Sequence, residues 1–560
     1  MERLTGNNDT LAFFVFPHFF VCLYYQIQIM PKQIMKTLRQ NLVCGVMALF
    51  FAFSALPTFA ALPQNVNGQA VDDIVKELKE YVETVRTTWQ IPGMAAAVAL
   101  DGKVIFSEGF GVKENGGNTP VDANTIFQIG SVSKSFTATL MASLVAEGKV
   151  KWNDTIKNIL PDFKMYDSWV TENMQVKDIM THKSGIAEQV GTYIPNLGYD
   201  RDDLYEMFAR IKPSYSFRGD FQYNNITFVI ASKIIEKVTG KSWEENMQER
   251  VFNPLMMSGS GVNGEFFKAN GASATPHEYY YANGKVNVNA LHGDDQALWW
   301  LTVVGPAGSV CSSANDLIKY AEFHRLNGKV GEEQVIPSDA VAYLHKGQSI
   351  SSQNEERTTL YGHCWYVEQN NRYRLYFHTG TTWGMTALCY FVPQLKLSGV
   401  ILVGCEAGTN PRYAIMRRTI DLMMGAPVGR YSEEFPDYNS VFYDEWIKAR
   451  QKSEAEYKGD GEKVEVKPAP ANKMIVGKYT KDKLFGDATI VEKEDGLYIT
   501  IGKKGFTNKL KHRNGNTFTF WSDGHEFPIN FKTDKSGKRI AGFEVEFYYG
   551  EEKYLGGWRK

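Results

Sequence analysis

Two polar side chains three positions apart, Ser131 and Lys134, stand at the start of a segment with helical periodicity. Apolar residues recur after them at Phe136, Leu140 and Leu144, which places Ser131 and Lys134 on one face of a first helical turn. A serine hydroxyl needs a neighbouring base to act as a nucleophile, and a lysine can serve when burial lowers its pKa. The pattern S-x-x-K is loose, and on its own it also fits a helix start with an exposed serine and lysine.

A second candidate group, Tyr223 and Asn225, precedes the helical pattern of Ile226–Val238. Acyl transfer needs a proton shuttle to the leaving group and a donor that holds the substrate, and a tyrosine and an amide can supply these. The alternative is a buried tyrosine and a capping asparagine. Tyr281 and Asn283 have the same spacing, but they precede a hairpin turn signal, and we therefore favour Tyr223 and Asn225.

A third group, His378, Thr379 and Gly380, lies at the end of a predicted strand. Glycine lets a substrate backbone come close, and His378 and Thr379 can donate hydrogen bonds to a substrate carboxylate or carbonyl. A lone histidine at a strand end is otherwise structural. Two triplets of similar type, Lys183–Gly185 and Lys535–Gly537, are rejected because the first precedes any candidate tyrosine and the second lies in a separate β unit.

Composition excludes several classes of function. The chain has 560 residues, a net charge of −2 and no basic run, which argues against nucleic-acid binding. The sequence contains no metal-ligand cluster, and we expect neither a metal nor another cofactor. Cys311, Cys364, Cys389 and Cys405 are too few for a disulfide scaffold, and the sequence leaves their pairing open.

The N-terminal region predicts export. A short basic start, an apolar run at Leu42–Leu56 and small residues for cleavage after Ala60 or Ala61 form a secretory signal peptide, which we assign to residues 35–60. An uncleaved membrane anchor is the alternative, although the run is short for a membrane span. We interpret residues 1–34 as a gene-model extension. The mature protein is then periplasmic or secreted in a bacterium, without a membrane span.

The periodicity of the chain predicts an α/β (α+β) fold, with an antiparallel sheet flanked by helices. An amphipathic helix at Asp72–Trp89 precedes a hairpin of Met94–Leu100 and Val104–Phe110, and Arg412–Met424 forms a last helix. Four strand-like runs lie between the hairpin and the last helix: Tyr361–Glu368, Tyr373–His378, Met385–Val392 and Ser398–Cys405.

Composition also divides the mature chain into three parts. We assign a main domain to residues 61–428, a helical and charged linker to residues 429–472, and a small all-β unit to residues 473–560. Short alternating runs separated by turn dipeptides predict seven or eight strands in the last part, arranged as a barrel.

The three candidate groups together resemble a known family. Ile129–Ala138, Tyr223–Asn225 and His378–Gly380 resemble, in order, the three motifs of serine beta-lactamases and penicillin-recognising peptidases, in particular the class C beta-lactamase-related group. Thr181–Gly185 and Gly305–Gly308 are further points of resemblance, which covers about residues 70–425. The C-terminal β unit resembles the lipocalin-like domain appended to some peptidases of this group.

This resemblance implies a role for each motif residue. Ser131 is the nucleophile, and Lys134 and Tyr223 share the acid–base work. The backbone N–H groups of Ser131 and Thr381 form the oxyanion hole. Four residues of the second and third motifs bind the substrate: Asn225, His378, Thr379 and Gly380.

The implied activity is that of an exported serine hydrolase, a peptidase or an esterase, which cleaves an amide or ester bond of a small molecule or peptide through an acyl-enzyme. D-amino-acid or peptidoglycan-type peptides are the expected peptidase substrates. Class C beta-lactamases usually carry lysine where His378 stands, and a mostly neutral imidazole holds a beta-lactam carboxylate less well. Two alternatives stay open, a class C-like beta-lactamase and a slowly acylating penicillin-binding protein, as does the oligomeric state.

Replacement of Tyr223 by phenylalanine should lower kcat/KM by roughly a hundredfold or more, the usual contribution of a positioned acid–base group. The same replacement at Tyr281 should have little effect, because Tyr281 lies outside the motif order. The measurement compares both variants on one activated ester. Equal losses, or a larger loss at Tyr281, would place the second motif elsewhere.

Overall fold

The computed structural model describes residues 69–292, 295–354, 357–407, 410–459, 467–480, 487–501, 504–522, 525–549 and 552–560. All of these residues belong to one compact unit, Leu62–Lys560. The predicted signal peptide and the segment before it lie outside the described residues. In the described ranges, no helix combines the length and the apolar character needed to cross a membrane.

Helices and strands alternate irregularly along the described ranges. The helices are α1 Val71–Thr88, α2 Ser133–Ala146, α3 Ile156–Ile159, α4 Ser168–Asn173, α5 Val176–Met180, α6 Arg201–Met207, α7 Thr227–Thr239, α8 Trp243–Met247, α9 Asn263–Ala269, α10 Asp295–Val303, α11 Gly305–Gly308, α12 Ala314–Arg325, α13 Ser338–Leu344, α14 Asn410–Met423, α15 Tyr438–Gly459 and α16 Asn472–Ile475. The strands are β1 Gly93–Leu100, β2 Lys103–Gly111, β3 Phe127–Gln128, β4 Gly261–Val262, β5 His277–Ala282, β6 Lys285–Ala290, β7 Val310–Ser312, β8 Lys329–Val330, β9 Glu333–Gln334, β10 Ser349–Gln353, β11 Thr358–Tyr361, β12 Tyr366–Gln369, β13 Arg374–Thr382, β14 Met385–Val392, β15 Leu397–Val403, β16 Gly477–Tyr479, β17 Ala488–Lys493, β18 Gly496–Ile501, β19 Phe506–Lys509, β20 Lys511–Asn514, β21 Thr517–Ser522, β22 His525–Thr533, β23 Ile540–Tyr549 and β24 Glu552–Arg559.

An eight-stranded sheet with the order β10-β11-β12-β13-β14-β15-β1-β2 forms the framework, and every neighbouring pair in it is antiparallel. Helices α1 and α14 pack on one face, and α12 packs against β1, β14 and β15 on the other face. Strands β14 and β15 are buried along their whole length, because both of their faces are covered. The predicted antiparallel sheet flanked by helices is confirmed.

One predicted strand is wrong. The run Tyr361–Glu368 is divided between β11 and β12, which pair with each other across a turn. Cys364 in this turn has a φ of 63°, and its N–H donates to the carbonyl of Met180 over 3.1 Å. The chain therefore turns at Cys364 in the middle of the predicted strand, and a tertiary contact holds this turn. Cys364 and the other three described cysteines are buried free thiols.

The C-terminal part contains two antiparallel sheets, with the orders β16-β17-β18-β19 and β20-β21-β22-β23-β24. The β character of this part is as predicted, whereas its closure into a barrel, its likeness to lipocalins and the domain boundaries stay predictions. Its apolar side chains continue the core of the main domain. Phe527 packs against Tyr193 with ring centroids 5.9 Å apart, and Lys504 Nζ lies 3.8 Å from the centre of the Trp299 ring.

A buried ion pair fastens α1 to α14. Arg418 Nε donates to Glu77 Oε1 over 2.6 Å, and the N–H of Gly429 donates to Glu77 Oε2 over 2.5 Å. Both side chains are almost fully removed from water. The pair thus ties together the two helices that cover one face of the sheet.

Glu77→Ala should lower the free energy of unfolding by about 3–5 kcal/mol, because it leaves the Arg418 guanidinium buried without its counter-charge. Glu108→Ala is the matched control, since Glu108 pairs with Lys79 at the surface and such pairs contribute about 0–1 kcal/mol. Denaturant unfolding followed by circular dichroism measures both. Equal losses in the two variants would contradict a special role for the buried pair.

Candidate active site

Ser131 lies in a 3₁₀ turn, Gly130–Val132, that runs directly into α2. The hydroxyl of Ser133 donates to the carbonyl of Gly130 over 2.6 Å and accepts the N–H of Val310 over 2.9 Å, which ties the turn to β7. Ser131 is the only partly exposed residue of this turn and lines a cavity. The turn therefore presents the Ser131 hydroxyl to the cavity.

The side chain of Lys134 is fully buried and ends beside Ser131. Its Nζ lies 3.0 Å from Ser131 Oγ, 2.6 Å from Asn225 Oδ1 and 3.0 Å from the carbonyl oxygen of Ala307. Burial lowers the pKa of Lys134 to about 7, because desolvation disfavours the ammonium form. A large fraction of Lys134 is therefore a neutral amine at and above neutral pH.

The oxygen atoms around Lys134 match the neutral amine. A neutral amine has two N–H donors and one lone pair, whereas Asn225 Oδ1 and the Ala307 carbonyl can only accept. Both N–H bonds are satisfied by these two oxygens, which leaves the lone pair for the hydrogen of the Ser131 hydroxyl. In this arrangement the neutral amine of Lys134 can accept a proton directly from Ser131 Oγ, and its role as the base stays a prediction.

Tyr223 packs over the same amine, with its ring centre 4.7 Å from Lys134 Nζ, and its phenol lies near the Ser131 side chain. Burial raises the pKa of Tyr223 well above its ordinary value. The phenol therefore stays protonated and can give its proton to a leaving group. His182 supports this segment, because its Nδ1 accepts the N–H of Asn224 over 3.1 Å and its ring centre lies 4.4 Å from that of Tyr223.

Asn225 is engaged on both ends of its amide. Its Oδ1 accepts from Lys134, while its Nδ2 donates to Gln189 Oε1 over 2.9 Å and to Thr192 Oγ1 over 3.2 Å. Asn225 lines the cavity but is only 7% exposed. In this geometry Asn225 positions Lys134, and its direct contact with a substrate stays a prediction.

The turn that carries Ser131 lies against β13 without room for side chains between them. Gly130 has a φ of +51°, and a Cβ atom there would lie 2.7 Å from the nitrogen of Thr381. A Cβ atom at Gly380 would overlap the Ile129 carbonyl oxygen and lie 2.9 Å from the Ser131 nitrogen. Glycine at both positions thus brings the backbones of Ser131 and Thr381 together at the cavity, where two N–H groups can hold an oxyanion.

The ring of His378 is not brought to the cavity, although Thr379 and Gly380 line it. His378 is fully buried, with Nδ1 2.7 Å from the carbonyl oxygen of Thr379 and Nε2 3.1 Å from the Tyr361 hydroxyl. A carbonyl only accepts, so Nδ1 carries the hydrogen and Nε2 accepts from Tyr361. Burial, followed by the charge of Lys134, lowers the pKa of His378 to about 3. Contact between this neutral ring and a substrate stays a prediction, and it would require the His378 side chain to adopt another rotamer.

The site opens into a cavity of about 730 Å³. The loop after α5 forms one wall and the segment from α9 to α10 forms another. The residues of these walls include Glu188, Gln189, Thr192, Tyr193, Lys268 and Trp300. Two aperiodic or weakly patterned segments of the sequence therefore shape the space for the substrate.

Sequence reasoning missed several of these contacts. The Ala307 acceptor is a backbone carbonyl, which no residue type reveals, although the turn Gly305–Gly308 was visible as a motif. Gln189 and Thr192 lie in a polar, aperiodic loop, and only their nearness to the Ser184-Gly185 signal could have marked them.

The rejected motif candidates lie away from the cavity. The Tyr281 ring packs on Trp446 with centroids 6.0 Å apart, and Lys183 Nζ donates to the carbonyl of Gln348 over 3.0 Å. Neither Tyr281 nor Lys183 lines the cavity. No group of three or more His, Cys, Asp and Glu side chains in the described part of the chain is arranged to hold a metal ion.

Comparison with known proteins gives a consistent match. A family model described as Beta-lactamase matches residues 72–419. The Unguisins hydrolase ungD' of Aspergillus campestris is 25% identical over 429 residues, which cover 73% of this chain and 76% of that protein. Penicillin-binding protein 4 of Amycolatopsis lactamdurans is 26% identical over 346 residues, which cover 59% and 86%.

Similarity of fold extends further than similarity of sequence. The octameric penicillin-binding protein homologue from Pyrococcus abyssi superposes with a TM-score of 0.53 at 19% identity. The match covers 86% of this chain and 100% of that chain. At this level of identity the likeness concerns the fold.

The pH dependence of kcat/KM on an uncharged ester should rise through a midpoint near pH 7 and level off above it, because Lys134 must lose its proton to act as base and its pKa is lowered to about 7. Tyr223→Phe should lower the plateau but keep the midpoint, since the Tyr223 phenol titrates far above this range. A midpoint near 10.5, the ordinary value for lysine, would contradict this assignment of the base.

Proposed function

Because the chain belongs to the beta-lactamase family of serine hydrolases, as its motifs predict, we propose that it is an exported peptidase or esterase that acts through an acyl-enzyme on Ser131. The contact of Lys134 Nζ with Ser131 Oγ, together with the lowered pKa of this amine, carries this proposal. Substrates of the peptidase type are D-amino-acid or peptidoglycan-type peptides.

The acylation step follows from the positions of these groups. Ser131 Oγ attacks the carbonyl carbon while its proton passes to Lys134 Nζ, and the N–H groups of Ser131 and Thr381 hold the oxyanion. Each such donor is worth about 3–4 kcal/mol in the transition state. The Tyr223 hydroxyl gives its proton to the leaving group and regains one from the Lys134 ammonium. In deacylation, water takes the place of the leaving group and attacks the acyl carbon while its proton passes to Tyr223 and that of Tyr223 to Lys134. Ser131 Oγ then leaves with a proton from the Lys134 ammonium, and the acid is released.

A hydrolytic reaction is supported by the similarity to an Unguisins hydrolase. A beta-lactamase is the second candidate, and the family match favours it. Against efficient beta-lactam hydrolysis stands the neutral, buried His378, since a substrate carboxylate gains no cationic partner there. A slowly acylating penicillin-binding protein is the third candidate.

Ser131→Ala should abolish turnover, by roughly a thousandfold or more, together with labelling by a fluorophosphonate. The panel consists of a short-chain p-nitrophenyl ester, a D-aminoacyl p-nitroanilide, a muropeptide and a chromogenic cephalosporin. Ser143→Ala is the control, because the Ser143 hydroxyl donates to the carbonyl of Leu140 inside α2 and does not line the cavity, so this variant should keep the labelling. Labelling that persists in Ser131→Ala would assign the nucleophile to another residue, and a stable acyl adduct without turnover would favour the binding protein.

A further inference from the structure

Glu188 lines the same cavity as Ser131 and Tyr223. Two backbone contacts fix its place: the N–H of Glu188 donates to Gln222 Oε1 over 3.2 Å, and the N–H of Gln189 donates to the carbonyl of Tyr223 over 3.0 Å. The loop that carries Glu188 is therefore tied to the segment that carries the acid–base tyrosine.

In the described part of the chain, no lysine, arginine or histidine forms an ion pair with Glu188. Its side chain is exposed, but the walls of the cavity remove part of its water. This loss of hydration raises the pKa of Glu188 above its ordinary value. After burial, its charge is among the causes that raise the pKa of Tyr223 and Tyr366. A partly desolvated carboxylate without a partner is stabilised when a ligand brings a cation to it.

The cavity has little positive charge to offset this carboxylate. Its described lining contains two carboxylates, Glu188 and Glu406, and Lys268 is its single lysine or arginine. His292 also lines the cavity, and its Nε2 lies 3.7 Å from Glu114 Oε1. Lys134 ends behind Ser131, and its lowered pKa of about 7 leaves only part of it charged at neutral pH. The field beside the nucleophile therefore favours a cationic substrate over an anionic one.

We propose that Glu188 binds an ammonium group of the substrate next to the scissile bond, so that the enzyme selects amides or esters that carry a free amine. The inference rests on the proposed function and names a substrate class for it. The ammonium group can belong to the acyl part, as in an aminoacyl amide, or to the leaving group. A carboxylate at the same place meets repulsion.

Glu188→Gln tests the charge without changing the shape of the side chain. Asp220→Asn is the matched control, because Asp220 is an exposed carboxylate three residues before Tyr223 that does not line the cavity. Both variants are made in the full chain, and Ser131→Ala is assayed beside them.

Two pairs of substrates separate the two sources of the amine. D-alanine p-nitroanilide against its N-acetyl derivative tests the acyl side, and the 2-aminoethylamide against the propylamide of N-acetyl-D-alanine tests the leaving group. For one pair, the wild type should prefer the cation by about tenfold or more in kcat/KM, as expected for one charge-assisted hydrogen bond. Glu188→Gln should reduce that preference about tenfold, and Asp220→Asn should leave it unchanged.

Salt gives a readout that a purely structural role would not change. The preference of the wild type should fall as ionic strength rises, because counter-ions screen a partly exposed pair, whereas Glu188→Gln should show no such dependence. Protection adds a measurement that needs no turnover. D-alaninamide should slow fluorophosphonate labelling of the wild type more than N-acetyl-D-alaninamide does, and Glu188→Gln should remove this difference.

The inference is overturned if folded Glu188→Gln keeps the wild-type preference for both pairs and the wild-type protection pattern, or if Asp220→Asn reduces the preference equally. In these cases Ser131-dependent turnover or labelling would remain, and the proposed function would stand. Turnover that survives in Ser131→Ala would instead remove the proposed function on which the inference rests.

Discussion

The burial of one amine, Lys134, is the constraint on which the site depends. A lysine in the core loses its hydration, and it is tolerated here because Asn225 and Ala307 accept its N–H bonds. Its pKa lies below that of an unfolded lysine, so the unfolded chain binds more protons between about pH 7 and 10.5 and stability rises with pH across this range. Below pH 7 the full destabilising contribution is present. The burial that lowers the pKa of Lys134 and makes it reactive therefore also lowers the stability of the folded protein.

Much of the fold is visible in the sequence because periodicity reports which faces are covered. Helix α1, the β1–β2 hairpin and β14 match their predicted segments to within one residue. The prediction of a strand over Tyr361–Glu368 fails because the chain turns at Cys364, whose N–H donates to Met180, 184 residues away in the sequence. Hydrophobic pattern describes the exposure of a segment, and it does not reveal a distant acceptor.

The site likewise has one part that the sequence predicts and another that it does not. Spacing alone places Ser131 beside Lys134, because the first helical turn is a local structure. Strand geometry also argues against a shared role for His378 and Thr379. Side chains alternate across β13, so the His378 ring and the Thr379 hydroxyl face opposite sides of the sheet. The positions of the Ala307 carbonyl, the Gln189 amide and the Glu188 carboxylate depend on long-range packing, which residue type does not reveal.

The packing of the C-terminal sheets on the cavity wall bears on the biogenesis of the protein. Phe527 supports Tyr193, which lines the cavity, and Lys504 covers Trp299, the neighbour of the wall residue Trp300. These supports are synthesised after every residue of the catalytic motifs. A nascent chain therefore carries Ser131 and Lys134 long before its cavity wall has its support. This wall is therefore complete only after the segments that carry Lys504 and Phe527 have been synthesised and packed against it.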